Sequence, residues 1–343
     1  MSYSNTQVKL ASRPTGEPTP ANFTIEATEV PAVRPGQVLV KNQLLSLDPA
    51  MRGWMNAGKS YLPPIGIGEV FRALGAGQVV ESQHPAFAVG DYVAGGVMAQ
   101  QYLLSDGAAA ADPASPAFLQ KIDIQQAPLE TYLSTLGMPG MTAYFGLLNT
   151  GQPKAGETVV VSAASGAVGS VVGQIAKIKG CRVVGIAGEP EKCAYCVQEL
   201  GFDACVNYKS ADFAQELKAA CPEGIDVYFD NVGGDILDLA LSMLRLHARV
   251  VVCGAISQYN NTTPIKGPAN YLSLLMNRAR MEGLVVFDNA AHYAEAAHEM
   301  AGWLRAGQLQ APKVQTEHGL ENFLPALLKL FSGENFGKLV LAV

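Results

Sequence analysis

The chain has 343 residues, of which 49% are hydrophobic and 16% charged, and its formal net charge is −6. This composition excludes a disordered chain, and the acidic balance argues against nucleic acid as a partner. Two domains are expected at this length, because single cores rarely grow beyond about 250–300 residues.

No apolar run reaches about 18 residues without a charge or a breaker, so no membrane span is predicted. The first residues lack the apolar segment of a secretory signal. We therefore predict a cytoplasmic protein whose six cysteines are free thiols. The alanine run Ala108–Ala111 is the only low-complexity segment of the sequence.

Residues 1–125 are rich in glycine and proline and contain short extended stretches separated by turn signals. Three of these stretches, 37–43, 77–81 and 91–94, are predicted strands. The pattern is typical of an irregular, barrel-like β domain.

From about residue 126, predicted strands alternate with predicted helices. The strands are at 158–162, 182–187, 225–230, 249–253 and 284–287, and the helices at 168–179, 191–200, 236–246 and 290–305. Together they predict one doubly wound parallel sheet over residues 126–312. The tail has a predicted helix at 320–331 and a predicted strand at 338–343, which do not fit this alternation. We expect residues 313–343 to return to the first domain.

The stretch 159–169, VVVSAASGAVG, is the most informative part of the chain. It predicts a buried strand, a turn of small residues and a helix start, which is the arrangement that binds the pyrophosphate of a dinucleotide. Ala164 takes the place of the first glycine in that fingerprint. The predicted nucleotide contacts in this turn are Ala164, Gly166, Ala167, Val168 and Gly169.

The end of the second strand selects between NAD and NADP, because an acidic residue there binds the ribose hydroxyls. Gly188 occupies this position, while Lys192 lies in the first turn of the next helix and can meet a phosphate. Tyr208 and Lys209 could add a phenol and a second cation. These residues favour NADPH, and the carboxylate of Glu189 is the contrary evidence, since it could bind a ribose diol.

No metal site is predicted. Cys193 and Cys196 form a C-x-x-C pair, but they lie inside a predicted helix, and zinc would need two further ligands at suitable spacing. The five histidines are scattered, and the sequence has neither a G-x-S-x-G elbow nor a Walker loop. The chemistry must therefore come mainly from the cofactor.

Six segments of the chain together match a known family: 46–52, 137–144, 163–169, 230–234, 253–260 and 333–338. On these segments the chain resembles the zinc-independent, NADPH-dependent double-bond reductases of the medium-chain dehydrogenase/reductase superfamily. This family includes prostaglandin reductase, leukotriene B4 dehydrogenase, plant alkenal reductases and bacterial curcumin reductase, and the stretch 48–61 is most similar to the last branch. Zinc-using relatives carry a Gly-His-Glu motif where this chain has Gly66-Ile-Gly-Glu69, and no cysteine precedes Cys181.

The resemblance implies a GroES-like irregular β-barrel domain over residues 1–125 and 313–343, which would carry substrate binding and catalysis, and a Rossmann domain over 126–312. It also implies hydride transfer from NADPH to the β-carbon of an α,β-unsaturated ketone or aldehyde. Tyr259 would donate to the developing enolate oxygen, and Tyr61 is a second candidate. Further implied cofactor contacts are Thr142, Asn231, Cys253, Gly254, Ile256, Ser257, Phe287 and Asn335.

Structural roles compete with several of these assignments. Asn231 could be a turn former, Phe287 a core residue and Asn335 a turn cap, while Tyr259 could pack the cofactor loop. This chain also departs from relatives at Ala50, where several carry tyrosine, and at Pro139, where threonine is frequent. Both departures bear on the substrate and leave the predicted nucleotide unchanged.

Two other functions stay open. A quinone reductase of the same superfamily would use the same cofactor pocket, and a non-catalytic NADPH-binding protein would keep the nucleotide contacts alone. The resemblance further implies a homodimer formed through the free edge of the nucleotide-domain sheet.

Overall fold

A computed structural model describes residues 3–106 and 117–343. The alanine run Ala108–Ala111 lies outside these ranges. The chain divides into two compact units, the first comprising Met1–Leu133, Val314–Asn335 and Leu339–Val343, and the second Ser134–Lys313 and Phe336–Lys338. None of the helices in the described ranges has the length and apolar character needed to cross a membrane.

The described strands are, in chain order, β1 Ser4–Leu10, β2 Phe23–Glu29, β3 Gln37–Ser46, β4 Leu74–Ser82, β5 Tyr92–Gly96, β6 Tyr102–Asp106, β7 Leu119–Ile122, β8 Thr158–Ser162, β9 Arg182–Ala187, β10 Ala204–Asn207, β11 Ile225–Asp230, β12 Leu244–Val252, β13 Arg280–Gly283, β14 Val314–His318 and β15 Lys338–Ala342. The described α-helices are α1 Ala50–Trp54, α2 Leu129–Tyr132, α3 Met138–Phe145, α4 Gly169–Ile178, α5 Pro190–Gln198, α6 Phe213–Ala220, α7 Gly234–Ser242, α8 Leu272–Met276, α9 Tyr293–Arg305 and α10 Phe323–Ser332.

The first unit is built on a seven-stranded sheet. Its order is β14-β15-β3-β4-β5-β7, with β6 also paired to β3, and β1 and β2 form a separate antiparallel pair. The long strand β3 is antiparallel to β4, β6 and β15, so it forms the centre of the sheet. The predicted strands at 37–43, 77–81 and 91–94 overlap β3, β4 and β5.

The tail strand β15 pairs with β3, with Val340 opposite Ser46. Helix α10 precedes it and ends at Gly333, whose φ of 73° is the left-handed conformation that glycine adopts readily at a helix C-terminus. The tail helix begins at Phe323, three residues later than predicted, because residues 320–322 form a 3-10 turn.

The second unit contains a six-stranded parallel sheet in the order β10-β9-β8-β11-β12-β13. Alternate residues of its central strands enter two different cores. Val161 and Phe229 join a core with α3, α4 and α9, whereas Val160 and Tyr228 join a core with α6 and α7. Helices therefore cover both faces, and the predicted doubly wound fold is confirmed.

The chain crosses from β10 at one edge back to β11 beside β8, so the strand order reverses between β8 and β11. Open α/β sheets bind ligands outside the carboxyl ends of their strands at such a reversal. The turns after β8 and β11 are therefore the first places to look for a site.

Two of the predicted elements in this unit are wrong. The helix expected at 236–246 ends at Ser242, because β12 starts at Leu244. The strand expected at 284–287 is not one: the edge strand is β13, and residues Val286–His292 form a 3-10 segment. Strand β13 has four exposed residues and is held by backbone pairing to β12. It therefore has no apolar pattern from which a strand could be predicted.

Candidate functional site

The backbone of the turn after β8 is closely packed around the carbonyl oxygen of Ala163. Ala163 adopts φ 50°, and its carbonyl oxygen accepts a hydrogen bond from Gly166 N at 2.9 Å. A Cβ on Gly169 would lie 2.3 Å from that same oxygen, so only glycine fits where α4 begins. The turn thus leads directly into the N-terminus of α4, and helix N-termini attract anions.

The predicted nucleotide contacts in this turn differ in exposure. Gly166, Ala167 and Val168 are partly exposed, whereas Ala164 and Gly169 are buried beneath them. The exposed members are the ones that a bound phosphate could reach, and the buried ones fix the shape of the turn.

Ala164 can replace the usual glycine because the neighbouring strand makes room for its methyl group. Ala164 N donates to Ile186 O of β9 at 3.0 Å, and its side chain is fully buried. A Cβ on Gly185 would lie 2.8 Å from the Ala164 Cβ. The glycine that allows the turn and β9 to pack closely is therefore Gly185 on β9, and not a residue of the turn itself.

The structure brings Gly188 and Tyr208 together at the carboxyl ends of β9 and β10. A Cβ on Gly188 would lie 2.9 Å from the Tyr208 ring, and Tyr208 N donates to Ala187 O at 3.0 Å. The Tyr208 side chain remains 41% exposed, so its hydroxyl can meet a ligand. A side chain at position 188 would therefore meet the Tyr208 ring, whereas glycine leaves the ring in place.

Charged side chains surround this corner. Burial lowers the pKa of Lys192 in the first turn of α5, while the nearby Glu189 carboxylate opposes that shift. Glu189 itself accepts a hydrogen bond from Lys209 Nζ at 2.5 Å. A partly desolvated ammonium beside a helix N-terminus is suited to a phosphate.

A buried carboxylate, Asp230, organises the turn after β11. Its Oδ1 accepts hydrogen bonds from Tyr228 Oη at 3.0 Å, Ser162 Oγ at 3.2 Å and the N–H groups of Val232 and Gly233 at 3.1 and 3.0 Å. Burial raises the pKa of Asp230, although these backbone donors oppose the shift. Sequence reasoning missed this role, although an acidic residue directly after the apolar run 227–229 was a usable signal.

Asn231 joins the two strand ends at the reversal of the sheet. Its Nδ2 donates to Ser162 O at 2.7 Å, and its backbone N–H donates to Ser162 Oγ at 2.9 Å. The side chain thus positions the turns after β8 and β11 relative to each other. The turn-forming alternative for Asn231 has a clear structural basis, and its cofactor contact stays a prediction.

The loop after β12 lies directly on the turn after β11. Cys253 N and Gly254 N both donate to Asp230 O, at 2.9 and 3.1 Å, and Ser257 Oγ donates to Val232 O at 2.6 Å. Burial raises the pKa of the Cys253 thiol to about 12, which keeps it protonated at neutral pH. The structure therefore gathers one group of predicted residues at one sheet edge: Asn231, Cys253, Gly254, Ile256, Ser257 and Tyr259.

Tyr259 follows the 3-10 turn Ile256–Gln258, and its ring folds back over the loop. Its hydroxyl oxygen accepts a hydrogen bond from Ala255 N at 3.2 Å, and it would lie 3.0 Å from a Cβ on Gly254. The phenol is thereby held at the edge where the loop meets the strand ends.

Thr142 and Phe287 lie on neighbouring elements of the second unit. The Thr142 hydroxyl donates to Met138 O at 2.8 Å, one turn back in α3. Tyr293 Oη donates to Val286 O at 3.0 Å and contacts Met138 Sδ at 3.8 Å, which places α3 beside the 3-10 segment that contains Phe287. Phe287 is half-buried and does not end a strand, so the structure corrects the sequence on that point.

Tyr61 and Asn335 belong to the first unit. The Tyr61 side chain is 54% exposed in the loop between α1 and β4, which suits a group that meets a ligand. Asn335 follows the end of α10, where its N–H donates to Lys329 O at 3.4 Å. That bond is consistent with the turn-capping alternative for Asn335.

Within residues 3–106 and 117–343, no group of three or more His, Cys, Asp or Glu side chains could hold a metal ion. Cys193 and Cys196 lie in α5, as predicted, and Cys196 is buried. A hydrogen bond with Cys205 and burial together raise the pKa of Cys193. This thiol is therefore a poor nucleophile.

Comparison with known proteins identifies the family. Residues 6–112 match the family described as N-terminal domain of oxidoreductase, and residues 167–302 match the one described as zinc-binding dehydrogenase. The chain is 44% identical over 340 residues to the NADPH-dependent curcumin reductase of Escherichia coli, covering 97% of this chain and 95% of that protein. The chain belongs to the NADP-dependent double-bond reductases of the medium-chain dehydrogenase/reductase superfamily.

Two further members of this reductase family are similar to the chain over nearly its full length. The NADP(+)-dependent 2-alkenal reductase of Nicotiana tabacum is 41% identical over 345 residues, covering 99% of this chain and 98% of that protein. The crystal structure of CurA from Vibrio vulnificus in complex with NADPH is 43% identical, with a TM-score of 0.91 over 98% of this chain and 99% of that one. The expected family and fold are thus confirmed.

Proposed function

We propose that this reductase uses NADPH to reduce the carbon–carbon double bond of α,β-unsaturated ketones and aldehydes. The observation that carries the proposal is its near full-length similarity to a curcumin reductase and an alkenal reductase. Both names indicate reduction of the same kind of group, an alkene conjugated to a carbonyl group. The arrangement of the second unit supports it, because Tyr259 is held beside the turns that fit a dinucleotide.

The residues present fit the nucleotide. The turn after β8 has no side chain at Gly166 or Gly169, so backbone N–H groups can approach a pyrophosphate. Gly188, Lys192 and Tyr208 would accept the 2′-phosphate. Thr142 and Phe287 would flank the nicotinamide, and Asn335 stays a predicted cofactor contact. When bound, NADPH supplies the hydride.

Tyr259 has the central chemical role in this proposal. Reduction at the β-carbon places negative charge on the carbonyl oxygen, and a preorganised donor must meet that charge. The phenol of Tyr259 would donate there, and its bond to Ala255 N uses an oxygen lone pair rather than the hydroxyl proton. Tyr61 is the second candidate donor.

We also propose that no zinc takes part. The first unit lacks the cysteine and the Gly-His-Glu motif that zinc-using relatives carry, because no cysteine precedes Cys181 and residues 66–69 contain no histidine. The carbonyl oxygen would therefore depend on Tyr259 together with the 2′-hydroxyl of the nicotinamide ribose.

A panel of substrates tests the proposed activity. NADPH oxidation is measured with a 2-alkenal, an aryl enone, a quinone and a saturated aldehyde. Turnover of the first two alone supports the proposal, whereas a preference for the quinone supports the quinone reductase. Tight NADPH binding without any turnover would identify a non-catalytic binding protein.

We propose further that two copies of the chain associate through the edge of the nucleotide-domain sheet. Strand β13 ends the sheet with four exposed residues, and its backbone can pair with a second copy. Apolar side chains cluster around this edge and would be covered in a dimer: Leu246, Leu272, Leu275, Met276 and Met281 are 52%, 53%, 75%, 67% and 39% exposed.

A further inference from the structure

Glu189 and Lys209 form an ion pair at the corner where the adenosine ribose is expected. Glu189 directly follows Gly188 beyond the end of β9, and Lys209 directly follows Tyr208 beyond the end of β10. Lys209 Nζ donates to Glu189 Oε1 at 2.5 Å. Because β9 and β10 are neighbours in the sheet, the pair joins two adjacent strand ends.

Glu189 is at the N-cap position of α5, but its side chain does not cap the helix. Its backbone is extended, with φ −145° and ψ 150°, and its carboxylate makes no bond to a helix N–H. An acidic residue at the end of the second strand is the group that binds both ribose hydroxyls in NAD-selective proteins. In this chain the carboxylate of Glu189 accepts a hydrogen bond from Lys209 instead.

Three charges meet at this corner. The hydrogen bond from Lys209 lowers the pKa of Glu189, and the bond to Glu189 raises the pKa of Lys209, so both stay ionised at neutral pH. Burial has the largest effect on the pKa of Lys192 and lowers it. Glu189 raises this pKa, and Lys209 lowers it further. Two cations and one carboxylate leave one net positive charge for a phosphate.

We propose that the Glu189–Lys209 pair sets the preference for NADPH over NADH, with Lys209 acting as a positioning residue. Lys209 neutralises the Glu189 carboxylate and keeps it from the ribose, so that Lys192 and Tyr208 can receive a 2′-phosphate. Without Lys209, the carboxylate would repel that phosphate and could bind the diol of NADH. This inference rests on the proposed NADPH-dependent function.

The pair is exposed enough to respond to substitution without unfolding the protein. The two side chains are 46% and 45% exposed, so water and salt screen their attraction. An exposed pair contributes at most about 1 kcal/mol, which corresponds to about fivefold in affinity. Moderate effects are therefore expected, and they should shrink as ionic strength rises.

The experiment compares Lys209→Met, Glu189→Gln and the double variant with the unmodified protein. Calorimetry measures binding of adenosine 2′,5′-bisphosphate and of 5′-AMP, two probes that differ only in the 2′-phosphate. Lys218→Met is the matched control, because Lys218 is an exposed lysine on α6, the helix that follows β10.

Lys209→Met should weaken 2′,5′-bisphosphate binding about fivefold while 5′-AMP binding stays equal or improves. The double variant should recover to within about twofold of the unmodified protein, since the repelling carboxylate is gone. In steady-state assays with a 2-alkenal, Lys209→Met should lower kcat/KM for NADPH and raise it for NADH.

Three results would overturn the inference. A double variant as weak as Lys209→Met would mean that Lys209 contacts the phosphate directly. An unchanged Lys209→Met would make the pair irrelevant, and an equal loss of both probes would mean a structural defect. If the unmodified protein ignored NADPH altogether, the proposed function itself would fail, which is a different outcome.

Discussion

The N–H of Ala255 donates a hydrogen bond to the phenol oxygen of Tyr259 at 3.2 Å, across the 3-10 turn between them. The bond holds the ring over the loop. It also explains why Gly254 precedes Ala255, since a Cβ on Gly254 would lie only 3.0 Å from that oxygen. Phenylalanine at this position would keep the ring and lose this hydrogen bond.

We expect Tyr259→Phe to lower turnover of an alkenal about a hundredfold to a thousandfold, because one donor to the developing oxyanion is lost. NADPH affinity should stay close to that of the unmodified protein. Steady-state kinetics and fluorescence titration with NADPH measure the two quantities. Tyr271→Phe is the control, since Tyr271 is a 57% exposed tyrosine of the same unit. An unchanged rate would remove Tyr259 from the mechanism.

Gly169→Ala should damage both stability and nucleotide binding. Its Cβ would lie 2.3 Å from the backbone oxygen of Ala163, and a backbone atom cannot rotate away. We expect a loss of about 1–3 kcal/mol in stability, together with weaker NADPH binding, measured by thermal unfolding and calorimetry. Gly302→Ala in α9 meets nothing within 4 Å and should raise the unfolding midpoint. Equal behaviour of the two variants would contradict the close packing of the turn.

Lys192→Ala should weaken NADPH binding about tenfold or more and leave NADH binding nearly unchanged, because only NADPH carries a phosphate for this ammonium. Burial lowers the pKa of Lys192, so its charge is partly desolvated and interacts more strongly with an anion. Binding constants for both nucleotides, with Lys218→Ala as the reference variant, test this. Parallel losses for NADPH and NADH would mean that Lys192 is not a phosphate ligand.

Glu157→Gln should make the second unit less stable at pH 7. Burial raises the pKa of Glu157, but hydrogen bonds from Arg249, one of them at 3.0 Å, and from Lys154 N outweigh that effect and leave it below 4.5. A carboxyl group whose pKa is lowered on folding stabilises the protein above its unfolded-state pKa, and this contribution is lost as pH falls through the folded-state value.

The unfolding midpoint of Glu157→Gln should therefore lie below that of the unmodified protein at pH 7, and the difference should narrow as the pH falls below 4.5. Thermal unfolding at several pH values measures this. A constant difference at every pH would mean that the charge of Glu157 contributes nothing.

Leu275→Glu should convert a dimer into a monomer if two copies associate at β13. Leu275 is 75% exposed beside that edge, and a charge there would be buried against a second copy. Light scattering after size-exclusion chromatography measures the mass. Val89→Glu, at a 66% exposed residue of the first unit, is the control. A monomeric unmodified protein would refute the association.

The sequence predicted the central strands best. Strands β8, β9 and β11 begin and end at the predicted residues, because strands buried on both faces are continuous apolar runs. The glycine-containing turn after β8 was equally easy to predict. Steric limits determine its residues, such as the close approach between Gly169 and the backbone of Ala163.

The elements that failed lack such local signals. Helix α6 and strand β10 were missed, and β12 starts five residues earlier than predicted, with an irregular register to β11 and His247 at φ 63°. An irregular strand is decided by its partner and not by its own sequence. The same holds in part for the site, where Asp230 accepts from three donors on its own segment and from Ser162 at the end of β8.

The methyl group of Ala164 fills the space that Gly185 leaves on the adjacent strand. Substitution at one position therefore depends on the residue at the other. A methyl group introduced at Gly185 alone has no room, whereas shortening Ala164 to glycine first would remove its nearest obstacle. Cys205 Sγ and Phe202 Cδ2 would still lie 3.0 and 3.1 Å from such a methyl group, so three neighbours together limit the size of the residue at position 185.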